Sequence, residues 1–212
     1  MAIITSYSTL QTALNDYLAR SDLTTWLPNF TQNWEERFYR ESDNWGSWME
    51  SALTVIITAG VAAVPADYLA LKIGYINGQV SAPLKRISTD QLYQRYPRAS
   101  TTGGPPAYIA RTAGNFEFGP NTASGTLKGT YWAKPTVMRS YTTGGTDAVA
   151  HFLIVNAPEL CLYGSLLESA PFIKDDARLQ IWGSLYSVAL DAYRSRMKFE
   201  DYSGSPPATV VV

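Results

Sequence analysis

Apolar residues recur at three- and four-residue spacing at both ends of this chain. Through its middle they alternate or crowd together. Leu10, Leu14, Tyr17 and Leu18 form the first helical stripe. Ser8-Thr-Leu-Gln11 has the form of a capping box, so a helix is predicted from about Thr9 to Ala19. Ser21-Asp-Leu-Thr24 reads as a turn. Leu27, Phe30, Trp34 and Phe38 mark a second helix that ends near Glu41, with Pro28 in its first turn, where a missing N–H costs nothing.

From Ser51 to about Thr143 the chain is rich in Thr, Val, Ile, Tyr and Gly, with turn residues every ten positions or so. Strands are predicted at about Ala52–Thr58, Leu69–Ile76, Val80–Lys85, Tyr108–Thr112, Asn115–Phe118 and Gly125–Trp132. Asn77-Gly78 signals a two-residue hairpin, because both central positions of that turn need positive φ. Gly114-Asn115 is expected to join another pair. Ser88-Thr-Asp-Gln-Leu-Tyr-Gln-Arg95 reads as a short capped helix stopped by Pro97.

Helical spacing returns after Thr146. Asn156-x-x-Glu159 has the form of a cap, and Leu160, Tyr163, Leu167 and Ala170 share a face. After a turn at Lys174-Asp175-Asp176, Leu179, Trp182, Tyr186, Ala189 and Tyr193 mark a last helix. The tail from Tyr202 contains Pro206 and Pro207 and closes on Val210, Val211 and Val212. It is too short for a core, and an apolar, β-prone end suggests a partner surface or an added strand, with a frayed terminus as the plain alternative. The pattern predicts an α+β protein, with an antiparallel helical bundle built from both chain ends and an antiparallel β-domain inserted in it. The expected divisions are 1–50, 51–146, 147–201 and the extended tail 202–212.

A hydrophobic content of 46% with 17% charged residues supports a real core in 212 residues. The net charge of −1 and the absence of any Lys/Arg run disfavour sequence-specific binding to nucleic acid, which needs a basic face. The N-terminus lacks the form of a signal peptide. The most apolar run, Val55 to Val64, falls well short of the ~20 residues that span a bilayer, so a soluble protein is expected. Six Trp and fourteen Tyr favour buried or interface roles.

Chemistry is sparse. His151 is the only histidine and Cys161 the only cysteine, so neither has a partner of its own kind. Each is read first as structural: a helix-start or surface histidine near Asp147, and a small buried thiol. Glu35-Glu36 and Asp175-Asp176 are carboxylate pairs, but neighbours on a helix diverge by about 100°. The glycine-bearing loops Thr101–Pro106 and Thr142–Gly145 lack the Lys-Ser/Thr of a phosphate loop. Trp34 fits the second helix's stripe, whereas Trp45 and Trp48 stand at the helix-to-strand joint, where they pack either inside the chain or against a neighbouring subunit. Tyr75, Tyr93, Tyr96, Tyr108 and Trp132 would suit a carbohydrate- or cell-surface-binding module. An enzyme such as a wall hydrolase would rest only on the scattered carboxylates and His151. No cofactor or metal motif is legible.

An ordered set of motifs carries a resemblance. Tyr7-Ser-Thr-Leu-Gln-Thr-Ala-Leu-Asn-Asp-Tyr-Leu-Ala-Arg-Ser-Asp-Leu23, Leu27-Pro-Asn-Phe30 and Glu35-Glu-Arg37 come first. Val64-Pro-Ala-Asp-Tyr-Leu69, Tyr131-Trp-Ala-Lys-Pro135, Asn156-Ala-Pro-Glu-Leu160, Ala170-Pro-Phe-Ile-Lys-Asp-Asp176 and Tyr202-Ser-Gly204 follow. Together they resemble the head-to-tail adaptor (connector) proteins of tailed bacteriophages. The resemblance implies a structural virion protein of the neck and no enzyme. It also implies a homo-oligomeric ring, typically a dodecamer, beneath the portal protein ring. Such a ring would meet tail or nozzle proteins and extend a channel through which DNA passes without sequence-specific binding. No membrane and no cofactor are implied, and assembly would occur in the host cytoplasm. The tail residues Tyr202, Pro206, Pro207, Val210, Val211 and Val212 would dock on the portal.

Overall fold

The computed structural model describes residues 3–78, 83–97, 103–121, 123–142, 151–173 and 177–202. In chain order they form α1 (Tyr7–Leu18), α2 (Leu27–Arg40), β1 (Glu50–Ile57), β2 (Val61–Ala63), β3 (Tyr68–Ile76), β4 (Lys85–Arg86) and α3 (Thr89–Arg95). Then come β5 (Tyr108–Thr112), β6 (Asn115–Gly119), β7 (Gly125–Ala133), α4 (Phe152–Asn156), α5 (Pro158–Glu168) and α6 (Arg178–Tyr202). Helices with mainly antiparallel sheets make this an α+β protein. Two compact units result: Met1–Trp48 with Thr136–Val212, and Met49–Pro135.

In the first unit, α5 packs against α1, α2, α4 and α6. Every residue from Leu160 to Leu166 is buried, as expected of a helix apolar on all sides. The predicted stripe of α2 is the one that goes inside: Leu27, Phe30, Trp34 and Phe38 are at most 3% exposed. Gly164 makes the α2–α5 approach possible. A Cβ there would lie 2.0 Å from Trp34 Nε1, which itself donates to the Tyr186 hydroxyl at 3.3 Å.

The second unit holds two sheets around one core, ordered β1-β7-β3 and β2-β6-β5-β4. Leu53, Ile57, Leu71, Ile76, Leu127 and Tyr131 of the first meet Ala62, Ile109, Phe116 and Phe118 of the second. Among the described residues the strand pairings are antiparallel except the two-residue β4–β5 pair, which is parallel.

Several local expectations are corrected. The α1 capping box is Ser6 with Thr9, not Ser8 with Gln11. Starting two residues earlier buries Tyr7, and Gln11 donates instead to Thr31 Oγ1 at 2.9 Å. Asn156 does not cap α5. It closes α4 by donating to the Phe152 carbonyl at 3.0 Å, and α5 starts from Ala157 and Pro158 with no side-chain cap. Strand β2 was unforeseen, since the apolar run Val55–Val64 turns back on itself at Ala59-Gly60, both with positive φ (49° and 75°). Asn77-Gly78 is a turn, but the return is wider than a two-residue hairpin, because the Leu84 N–H reaches the Gly74 carbonyl at 2.8 Å. The ladder of β3 is made with β7. Most of the predicted Val80–Lys85 strand lies outside the described residues. The β5–β6 turn is Ala113-Gly114, one residue earlier than expected, with Thr112 opposite Asn115. The short helix α3 starts as predicted, on a Ser88–Gln91 capping box.

Two glycine replacements test this packing. Gly164→Ala drives a methyl into the fully buried Trp34 ring and is expected to cost about 2–3 kcal/mol in urea unfolding. Gly183→Ala on α6 meets nothing within 4 Å and is expected to stabilise by ~0.5–1 kcal/mol through helix propensity.

Candidate functional site

The chemistry-bearing side chains of the first unit gather around α2. Glu35 follows Trp34 on the buried face and is 2% exposed. Its two carboxylate oxygens accept from the Met138 N–H at 3.2 and 3.1 Å. One helical turn on, the Tyr39 hydroxyl donates to Glu35 Oε1 at 3.3 Å. The same hydroxyl lies 3.2 Å from His151 Nε2. His151 is the N-cap of α4, and its Nδ1 accepts from the Leu153 N–H at 3.2 Å. That acceptor role fixes the tautomer, since a neutral ring accepting at Nδ1 carries its proton on Nε2. The chain of donors therefore runs from His151 to Tyr39 to Glu35.

Burial governs the electrostatics. It holds the His151 ring down at about 4, so the imidazole is neutral near pH 7. Burial, and secondarily Glu35, pushes the Tyr39 hydroxyl well up and does the same to the Cys161 thiol. Tyr7 and Tyr193 are each raised to about 12, again chiefly by burial. A proton shuttle near neutrality needs a group that titrates there, and a cysteine nucleophile needs an accessible thiolate. His151, Tyr39 and Cys161 are each displaced away from that condition. This arrangement joins segments far apart in sequence through hydrogen bonds.

The tryptophans of the joint are also tied within the first unit. Trp45 donates from Nε1 to the Tyr39 carbonyl at 3.0 Å. Trp48 donates to the Tyr193 hydroxyl at 2.9 Å, stacks on Phe152 with centroids 4.7 Å apart, and meets His151 edge-on at 5.6 Å. Both indoles stay half-buried, so part of each ring reaches the surface. The Glu35-Glu36 pair diverges as its spacing requires, with Glu36 accepting from Gln32 outside the cluster. Asp147, Asp175 and Asp176 lie outside the described residues, as do Thr101 and Thr102 of the first glycine-bearing loop and Thr143, Gly144 and Gly145 of the second. So do Pro206, Pro207, Val210, Val211 and Val212. Tyr202 is the last residue of α6.

In the second unit, Tyr93 of α3 and Tyr96 at its C-cap line a cavity of about 250 Å³ with Glu117, Phe118 and Asn121. Tyr93 donates to Glu117, and the Tyr96 and Tyr108 rings lie 6.1 Å apart. Tyr75 and Trp132 are elsewhere, on β3 and β7 of the other sheet, with Lys72 over the Trp132 ring at 4.9 Å. The five aromatics thus do not share one platform, and Tyr75 and Trp132 are themselves apart along the β3–β7 ladder, opposite Lys128 and Ala70 respectively.

Among the described residues no helix is long and apolar enough to cross a membrane. No three His, Cys, Asp or Glu side chains among them gather as a metal site would require.

The Glu35 and His151 contacts give two expectations. Glu35→Gln turns one acceptor oxygen into a donor facing the Met138 N–H or the Tyr39 hydroxyl, and should cost about 1–3 kcal/mol in unfolding free energy. For His151 the folded value of about 4 lies below the ordinary 6.5. Between these the unfolded chain binds more protons, so the contribution is complete above pH ~6.5 and is lost as pH falls toward 4. At about 1.4 kcal/mol per pH unit across that interval, roughly 3–4 kcal/mol is at stake. His151→Asn keeps a capping residue and removes the titration. Its urea midpoints should fall less steeply than the wild type's between pH 6.5 and 4.5, and parallel slopes would refute the assignment.

A family model described as SU10 adaptor protein matches residues 5–210, running through both units. No curated protein matches the chain.

Proposed function

The chain belongs to the SU10 adaptor protein family of structural phage head-to-tail adaptors, and we propose on that footing that it forms a ring beneath the portal. The ring is a dodecamer that lengthens the DNA channel and offers a platform to the tail or nozzle proteins. It sits in the virion neck after assembly in the host cytoplasm. The observation that carries this reading is the family match over residues 5–210, which begins ahead of α1 and extends into the tail beyond Tyr202. Within the proposal, the helices of both chain ends make one antiparallel bundle, and residues 51–146 are its β-insertion. The tail, with Tyr202, Pro206, Pro207, Val210, Val211 and Val212, docks on the portal. The exposed edges of Trp45 and Trp48 contribute to contacts between subunits.

Physical chemistry supports the same reading. A ring closes through heterologous contacts repeated by rotation, and such permanent contacts favour aromatic, weakly charged surfaces. A net charge of −1 suits a wall past which DNA slides. The carbohydrate-binding alternative has less support, because its aromatics do not share one platform.

Mass photometry of the chain with its portal ring is the test. Twelve copies of the 23.4 kDa chain should add about 280 kDa in one discrete step. Removing residues 203–212 should weaken docking by about tenfold or more. A portal ring whose mass does not change would refute the adaptor ring.

A further inference from the structure

Helix α6 is apolar on two opposite sides. Trp182, Tyr193 and Met197 are buried, with Tyr186 and Ala189 half-buried beside them. A second series, Ile181, Leu185, Val188, Ala192, Ser195 and Phe199, advances by four and three residues in strict alternation. That spacing is the seam of a helix that packs lengthwise against another helix. All six positions are exposed, the large ones to differing degrees: Ile181 is 59% exposed, Leu185 40%, Val188 69% and Phe199 67%.

Charge reinforces the pattern. From Leu179 to Leu190 there is no charged residue, and the exposed positions between the apolar ones are Gln180, Ser184 and Ser187. A helix face meant for water is normally charged, and depletion of charge is instead the mark of an interface core. The surface continues sideways into a groove of about 280 Å³ whose lining is mixed: Ala157, Pro158, Leu160, Ala189 and Ala192 are joined there by polar Asn156, Glu159, Tyr193 and Arg196.

We infer that this outward stripe of α6 is a contact surface for a second copy of the same chain. For its place in a ring the inference rests on the adaptor reading, but the self-contact itself does not. The size fits. The four large side chains leave on the order of 400 Å² in water, about half of what one partner brings to a standard interface. The seam from Ile181 to Phe199 is about 27 Å long. The chain's own tail is a poor cover for it, since Val210–Val212 would span only about 10 Å. DNA is a poor cover too, because phosphates need cations that residues 179–190 do not supply.

Sedimentation velocity of the full chain, taken to the high-micromolar range, tests the self-contact. Wild type should associate reversibly. Val188→Glu and Ile181→Glu should each weaken association by about tenfold or more, with unchanged circular dichroism. Asn33→Glu, at an exposed position of α2, should leave it as it is. A wild type that stays monomeric overturns the inference, and so does a Val188→Glu chain that associates normally. It also falls if removing residues 203–212 is what first permits association, because the tail is then the cover. Portal mixing separates the two readings. If Val188→Glu fills the portal ring as fully and as cooperatively as wild type, the α6 contact falls and the adaptor reading stands. If wild type ignores the portal yet self-associates through Val188, the adaptor reading falls and the contact stands.

Discussion

A carboxylate taken out of water costs several kcal/mol unless hydrogen bonds replace the lost solvent, and Glu35 lies at the centre of the first unit under that constraint. Its replacements are the Tyr39 hydroxyl, one turn along the same helix, and the Met138 N–H, 103 residues further along the chain. The second cannot be supplied locally. A segment holding only α1 and α2 would carry the carboxylate without that backbone donor, and would expose the Trp34 face that α5 covers. The return of the chain after the β-unit is thus written into the polar requirement of one residue in α2. His151 extends the same tie, capping α4 with one ring nitrogen and meeting Tyr39 with the other. Trp48 and Trp45 close over it, each spending its indole N–H inside the unit.

Helical segments were legible in the sequence because their period is local. Leu27, Phe30, Trp34 and Phe38 needed only their spacing to be placed inside, and Ser88 with Gln91 needed only a three-residue offset. The errors begin where two local readings compete. Ser6-x-x-Thr9 and Ser8-x-x-Gln11 are both plausible caps, and what decides between them is the burial of Tyr7, which is tertiary. Asn156 illustrates the same limit: the sequence offered a cap to α5, and the structure uses the amide to finish α4. Strand β2 escaped because its turn places an alanine, Ala59, at positive φ, a position where glycine or asparagine would have announced it. Sheet order was beyond local reading altogether, since β1 finds β7 across the whole unit. The same holds for the Glu35–Met138 bond, the Gly164–Trp34 approach and the cap made by His151.

These contacts bear on function through what they leave over. Histidine, cysteine and buried tyrosine are the groups an enzyme would use, and here His151, Cys161, Tyr39 and Tyr193 are each moved by burial away from ionisation near neutral pH. Their hydrogen bonds are spent on segments of their own unit. A structural adaptor family makes no demand on such a polar cluster to open to solvent, and its hydrogen bonds hold distant segments of the unit together.

The composition of α6 changes along its length in a way that fits such neighbours. Charge is absent from Leu179 to Leu190 and then dense, with Asp191, Arg194, Arg196, Lys198, Glu200 and Asp201. An interface core excludes charge while its rim carries it, so the centre of the contact falls at Ile181, Leu185 and Val188. Phe199 stands farther out, between Lys198 and Glu200. Several of the later charges already have partners within the chain: Arg194 bonds Glu41 and Asn44, and Arg196 bonds Glu200 and Asn156. A rim held in this way presents a fixed pattern of charge, and fixed charge selects register and partner more than it adds affinity. Attraction then comes from the uncharged half of α6 and alignment from the charged half, a division that lets one long helix both bind a neighbouring copy and choose how that copy sits.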